Sequence, residues 1–253
     1  MAYDSNSSKL LAFLHTIVIY IWTIVATLVV GLSVILVSFF SKTGNSVHHL
    51  ARMWGRSILW ISGLHVQVVG LENIDASRSA IYMSNHQSNF DIPVFFSALP
   101  IQFRWLAKAE LFKIPIFGQA MRRAGYISVD RSNTKSALVS LKKAAQSIRN
   151  GTSVLIFPEG TRSEDALLLP LKTGGFILAL DAGVPIVPMA VQGTFAVMPK
   201  GRKLIQRQKV RLVIQPTIDP SAYTRKTKNE LMESVRLAIQ DAMTIQTEGS
   251  GRA

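Results

Sequence analysis

Apolar and polar positions divide the chain into two regimes. Between residues 10 and 41 there is no Asp, Glu, Lys or Arg, and most positions are Leu, Ile, Val, Phe, Ala, Trp or Tyr. A straight helix over that run would be roughly 48 Å long, against a bilayer hydrocarbon core of about 30 Å. The pattern therefore predicts a membrane-embedded helix that tilts, bends or ends early, with a break expected at Gly31 and Ser33. Both a spanning and a re-entrant course fit the length. A cleaved secretory signal is the rival reading, but the run is about twice an ordinary signal core and no small-x-small site follows it. His15, inside the run, reads as a neutral interfacial imidazole. Over residues 47–64 the pattern changes to a helical stripe, with Val47, Leu50, Ala51, Trp54, Ile58 and Ile61 on one face and Arg52 and Arg56 on the other. An interface-lying helix and a core-packed helix share that stripe.

Past residue 64, short apolar runs alternate with helical segments, which is the signature of an α/β domain with a mixed, largely parallel sheet flanked by helices. Strands are expected at 65–69, 80–84, 103–107, 126–129, 153–157, 186–191 and 210–215. Helices are expected at 91–99, at 134–150 with Gly151 as the stop, at 172–182 with Gly183 as the stop, and from Thr227 onward. Thr227 and Glu230 have the spacing of a capping box, and residues 247–253 are expected to fray. The division is thus a membrane-anchoring segment, 1–64, and an α/β domain, 65–253.

Composition narrows the chemistry. The chain has 253 residues and no Cys, so disulfides, thiolate metal sites and cysteine nucleophiles are excluded. Lys and Arg number 28 against 15 Asp and Glu, a formal charge of +13, which favours polyanionic partners. A nucleic-acid module would leave the apolar run without a purpose, so an anionic membrane or a phosphorylated substrate is favoured over nucleic acid. Lys42, Arg52 and Arg56 have no acidic neighbour between residues 41 and 70, which by the positive-inside bias puts this flank, and the chain after it, on the cytoplasmic side. Lys200, Arg202, Lys203, Arg207, Lys209 and Arg211 form a basic cluster. It would add attraction to an anionic surface, although the alternation of Arg207, Lys209 and Arg211 reads as a solvated edge strand.

The candidate chemistry falls at strand ends. His86 and Asp91 lie in NHQSNFD, residues 85–91, directly after the expected strand at 80–84. In a helix a five-residue spacing would turn the two side chains about 140° apart, so a loop must bring imidazole and carboxylate together as a base and the group that orients it. Lys108 follows the third strand, Asp130 and Arg131 the fourth, FPEGTRS (157–163) the fifth and Gln192 the sixth. If these strands are parallel, the residues meet in one crevice outside their carboxyl ends. Taken singly, Lys108 is a solvated charge and Asp130 with Arg131 a surface turn pair. Glu159, Gly160, Thr161 and Arg162 together carry more, combining a carboxylate, a permissive backbone and a guanidinium suited to phosphate. Lys172 is a further candidate for anion contact, and Ser84 and Ser88 are rival nucleophiles without a nucleophile-elbow context.

The blocks NHQSNFD, GYISVDR (125–131), FPEGTRS and VPIVPMAV (184–191), in this order, resemble the glycerolipid acyltransferase family, most closely its bacterial 1-acylglycerol-3-phosphate acyltransferases. The resemblance covers roughly residues 65 to 220. It implies that His86 and Asp91 are the catalytic pair, and that Lys108, Arg131, Glu159, Gly160, Thr161 and Arg162 bind the phosphorylated acceptor. It also implies transfer of a fatty acyl group to the 2-hydroxyl of lysophosphatidate, with acyl-CoA or acyl carrier protein as donor and no cofactor or metal besides. Glu159 is then expected to bind the glycerol hydroxyl or to orient Arg162. The open alternatives are a sibling enzyme using glycerol-3-phosphate or another lysolipid, and a non-catalytic, membrane-anchored binder of anionic lipid. Oligomeric state is not encoded in any of these features.

Overall fold

The computed structural model describes residues 3–40, 45–130 and 134–245. Helix α1 (Tyr3–Ser38) runs without a break. The interruption expected at Gly31 and Ser33 does not occur. The Ser33 hydroxyl donates to the Val29 carbonyl at 2.8 Å within the helical turn. Gly31 instead permits a close approach, since a Cβ there would lie 3.1 Å from Ile116 Cγ2. The stretch Lys9–Ser38 is long and apolar enough to cross a membrane. Only a narrow stripe of it, including Ile19, Ala26 and Val34, is buried against protein, while Leu10, Phe13, Ile21, Ile24 and Val29 face outward.

Helix α2 (Asn45–Ile61) packs between α1 and α3 (Asp91–Ala98). Its stripe is a core face: Val47, Ile58 and Leu59 are buried, while Met53 and Trp60 stay exposed. Arg52 does not face away from that core as the helical wheel implied. Its guanidinium donates to the Leu99 and Ile101 carbonyls at 2.8 and 3.1 Å, closing the end of α3. His48 is buried edge-on to Phe103, with ring centroids 4.9 Å apart. Burial first, and then the charges of Arg104 and Arg52, hold its imidazole down to about 4, so it is neutral. His15 Nε2 lies 3.0 Å from the Ile61 carbonyl, a bond that ties α1 to the end of α2.

The remaining elements, in chain order, are β1 (Val66–Val69), β2 (Ile81–Ser84), β3 (Arg104–Lys108), α4 (Phe117–Arg123), β4 (Ile127–Val129), α5 (Thr134–Arg149), β5 (Val154–Ile156), α6 (Gly174–Ala182), β6 (Ile186–Gln192), α7 (Thr194–Val197), β7 (Val210–Ile214) and α8 (Lys228–Thr244). The strands form a 7-stranded sheet in the order β1-β7-β6-β2-β5-β3-β4. The block β6-β2-β5-β3-β4 is parallel; β7 runs antiparallel to β6, with β1 parallel to β7. Each expected strand is present within a residue or two, because central parallel strands buried on both faces are continuous apolar runs. Period 2 then sorts them: Ile81 and Met83 join α5, α6 and α8 on one face, while Tyr82 joins α2 and α3 on the other.

Two local expectations change. β7 is interior, with Arg211 donating to Gln67 at 3.1 Å, Gln192 at 3.4 Å and the Ile245 carbonyl at 3.2 Å, so it is not a solvated edge strand. Thr227 precedes α8 but makes no side-chain cap; its hydroxyl accepts from the Thr224 N–H at 2.9 Å instead. The expected fraying of 247–253 falls outside the described residues. The anchoring segment is also not separate from the domain at 65–253, since Ile19, Ile58 and Leu59 belong to the same core cluster as β2 and α3.

Candidate active site

The carboxyl end of β2 runs directly into the loop 85–90, and Asp91 opens α3. Hydrogen bonds explain why that loop takes one shape. Asn85 pairs in both directions with the Val191 backbone, donating to its carbonyl at 3.0 Å and accepting from its N–H at 2.8 Å, which locks the exit of β2 against β6. Asp91 Oδ2 accepts from the Gln87 and Ser88 N–H groups at 2.7 and 2.9 Å, two backbone donors of the loop that precedes the helix. The same oxygen lies 2.7 Å from His86 Nδ1. One carboxylate oxygen thus folds the loop and aims the imidazole. Asp91 is wholly buried, and its other oxygen, Oδ1, has no hydrogen-bond partner among the described residues.

The His86 ring stacks on Phe157, with centroids 3.9 Å apart and planes 5° from parallel. With Nδ1 beside a carboxylate the proton resides on Nδ1, and Nε2 is left with its lone pair for the cavity. Ser84 and Ser88 are buried and committed elsewhere: Ser84 donates to Asn85 Oδ1 at 3.1 Å and Ser88 to the Met198 carbonyl at 2.8 Å. Neither hydroxyl is bonded to His86 as a triad nucleophile would be.

FPEGTRS follows β5 and splits in two. Gly160, Thr161 and Arg162 line the same cavity as His86, and Gly160 has a φ of 75°, a left-handed conformation that favours glycine. Glu159 does not line it. Its Oε1 accepts from the His86 N–H at 2.6 Å and its Oε2 from the Leu169 N–H at 2.7 Å, and it is 2% exposed. The carboxylate expected to contact the glycerol hydroxyl or to orient Arg162 is instead a clamp between the His86 loop and the loop that carries Leu169, because backbone donors occupy both its oxygens. Burial pushes its carboxyl up to about 7, against those two hydrogen bonds, which favour the charged form.

The cavity has a volume of about 520 Å³. Lys108, from the end of β3, lines it with Arg162 and with Lys200 from the turn after α7, whereas no Asp or Glu among the described residues does. The rest of its wall is largely apolar and includes Thr27, Val30 and Val34 of α1, Ala51 and Trp54 of α2, and Ala120 and Met121 of α4. Arg131 lies outside the described residues, and Asp130, half-buried, is not among the lining residues. Gln192 is not either. Its amide donates to the Ala242 and Ile245 carbonyls at 2.6 and 3.3 Å, so it caps α8 on the other side of the sheet's end. Lys172 is exposed and outside the cavity, its N–H donating to the Pro158 carbonyl at 2.8 Å. Sequence reasoning missed Phe157 as the stacking partner, Asn85 as the clamp on β6 and Lys200 as a lining residue. Only the continuous apolar run of β5 into Phe157 hinted at the first, and it marks Phe157 as core.

Comparison with known proteins is consistent with this geometry. The family model described as Acyltransferase matches residues 65–192. A chloroplastic 1-acyl-sn-glycerol-3-phosphate acyltransferase of Brassica napus is 34% identical over 79% of this chain and 60% of its own length. One from Arabidopsis thaliana is 35% identical over 75% and 54%. The chain thus spans less than two thirds of the length of these two relatives. The 1-acyl-sn-glycerol-3-phosphate acyltransferase of Escherichia coli K12 is 29% identical over 92% of this chain and 99% of its own. The crystal structure of the 1-acyl-sn-glycerophosphate acyltransferase PlsC from Thermotoga maritima superposes with a TM-score of 0.79 at 28% identity, covering 95% of this chain and 99% of that one.

Proposed function

Because the chain belongs to the acyltransferase family, we propose that it transfers a fatty acyl group from a thioester to the 2-hydroxyl of lysophosphatidate, forming phosphatidate. The observation that carries this reading is one cavity lined by the carboxylate-paired His86, by the cations Lys108, Arg162 and Lys200 and by apolar side chains of three helices. Each part matches one part of the reactants. Arg162 and Lys108 suit the acceptor phosphate, the guanidinium through paired hydrogen bonds. The apolar wall formed by α1, α2 and α4 suits an acyl chain. Arg131 is assigned to the phosphate by the family motif alone.

His86 Nε2 removes the proton from the acceptor hydroxyl as its oxygen attacks the thioester carbonyl. Asp91, fixed by the Gln87 and Ser88 N–H groups, keeps Nδ1 protonated and stabilises the imidazolium that forms. Collapse of the tetrahedral adduct breaks the carbon–sulfur bond, and the leaving thiolate takes the proton from His86. No acyl-enzyme is needed, in keeping with the engagement of Ser84 and Ser88. Either acyl-CoA or acyl carrier protein serves as donor in this scheme. Helix α1 supports association with a membrane, where acceptor and product reside, and the basic flank of α1 favours a site that faces the cytoplasm.

Purified protein given lysophosphatidate, glycerol-3-phosphate and other lysolipids with both thioesters tests the reading. Phosphatidate is the expected product, and His86→Ala is expected to lower turnover about 10²- to 10⁴-fold while lysophosphatidate still binds. Faster acylation of another acceptor would replace the substrate assignment. Unchanged turnover in His86→Ala would remove the base.

A further inference from the structure

The basic cluster at 200–211 does not act as one surface. Lys200 lines the cavity with His86 and Arg162, whereas Arg202, Lys203, Arg207, Lys209 and Arg211 do not. We propose that Lys200 is a further contact for the acceptor phosphate, held at the mouth of the cavity by Glu164 until the phosphate replaces that carboxylate. This deepens the lysophosphatidate reading and rests on it.

Lys200 is positioned rather than free. Residues 199–202 form a turn, closed by the Arg202 N–H on the Pro199 carbonyl at 3.0 Å, with Gly201 at φ 81°. Positive φ at the third position is the mark of a type II turn, which presents its second residue, Lys200, outward. The base of the turn is tied to the catalytic loop, because the Ser88 hydroxyl donates to the Met198 carbonyl at 2.8 Å and the Ser88 N–H to Asp91 at 2.9 Å. Lys200 Nζ lies 2.9 Å from Glu164 Oε1. Glu164 follows Ser163, whose N–H donates to the His86 carbonyl at 2.8 Å. Both partners of the ion pair therefore hang from the loop that carries the base.

The pair itself is a poor structural device. Glu164 is 78% exposed against 31% for Lys200, and exposed pairs contribute little to stability. A phosphate monoester carries nearly two charges and three acceptor oxygens, and it would enter a cavity lined by Lys108 and Arg162 and, among the described residues, by no carboxylate. It thus outcompetes a single solvated carboxylate for the ammonium.

Steady-state kinetics of the full chain test this, with lysophosphatidate varied at saturating thioester and the reverse. Lys200→Met is expected to raise the acceptor KM about tenfold, the worth of one hydrogen bond to a charged group, with the donor KM unchanged. Lys200→Arg should recover most of the loss, and Glu164→Gln should lower the acceptor KM by removing the competitor. Equal increases in Lys200→Met and Glu164→Gln would overturn the proposal in favour of a latch. A rise in the donor KM alone would move Lys200 to the donor's phosphates, and no change in either would remove its role. Calorimetric binding of lysophosphatidate to the parent and to Lys200→Met needs no turnover. A parent that binds but does not acylate sinks the reaction assignment, and Lys200 is then judged on the Kd alone; a parent that does not bind overturns both.

Discussion

Asp91→Asn separates the two tasks of the buried carboxylate. A single oxygen, Oδ2, accepts from His86 Nδ1 and from the Gln87 and Ser88 N–H groups, while Oδ1 has no partner among the described residues. An Asn whose carbonyl oxygen takes the Oδ2 position keeps all three hydrogen bonds and puts its NH₂ where nothing was bonded. The loop and the Nδ1–H tautomer should survive, unlike a serine-hydrolase triad, in which the same change sets the wrong tautomer and costs about 10⁴ in kcat. What is lost is the attraction between carboxylate and imidazolium in the transition state. Two unit charges about 4 Å apart at an effective dielectric of about 20 attract by about 4 kcal/mol. The charge-assisted hydrogen bond weakens to a neutral one of about half the strength. Part of the charge is never fully developed, so a loss of about 3 to 4 kcal/mol, or roughly 10²- to 10³-fold in kcat, is expected. Stability should hold or rise, because a buried and incompletely partnered charge is removed. The assays are kcat for lysophosphatidate acylation, ¹⁵N chemical shifts of the His86 ring and a thermal melt. A kcat within about threefold of the parent with Nδ1 still protonated would refute imidazolium stabilisation. A shift of the proton to Nε2 would refute the single-oxygen geometry.

Glu159→Gln keeps one acceptor for two backbone donors, so either the His86 or the Leu169 N–H loses its partner, and kcat should fall about tenfold as the catalytic loop loosens. The same variant has a pH signature. A carboxyl raised from 4.5 to about 7 by burial binds its proton more tightly when folded, so it favours the native state below the unfolded value and loses that contribution as pH rises through about 7. The stability of Glu159→Gln relative to the parent should increase by up to about 3 kcal/mol between about pH 5 and 8, read from denaturant melts; a flat difference would refute the burial assignment. Ala120→Leu fills part of the apolar-walled space of the cavity, so the preferred thioester should shorten by about two to three carbons, the volume of the added methyl and methylene groups, in a competition among acyl chain lengths. Gly118→Ala would bring a Cβ within 2.2 Å of the Phe112 carbonyl, and a drop of about 2 kcal/mol or more in unfolding free energy is expected.

Much of this molecule was legible locally. The apolar run over residues 10–41 specified α1, the buried strands stood out as short apolar stretches, and Gly151 and Gly183 ended α5 and α6 where expected. His86 and Asp91 were legible as a pair because a strand end followed by a helix start leaves few ways to arrange five residues. These features depend on composition and period, which act over one or two turns of chain. Tertiary structure alone decided which strands are neighbours, and with it where distant polar residues point. The insertion of β7 between β1 and β6 turned Arg211 from an edge charge into a link with Gln192 and the end of α8. Glu159 became a clamp because the loop after β5 lies against the His86 N–H, and Lys200 joined the site because Ser88 holds Met198. Burial pattern specifies that a side chain is inside or outside; the partner it meets depends on contacts between segments far apart in sequence, and no local period records those.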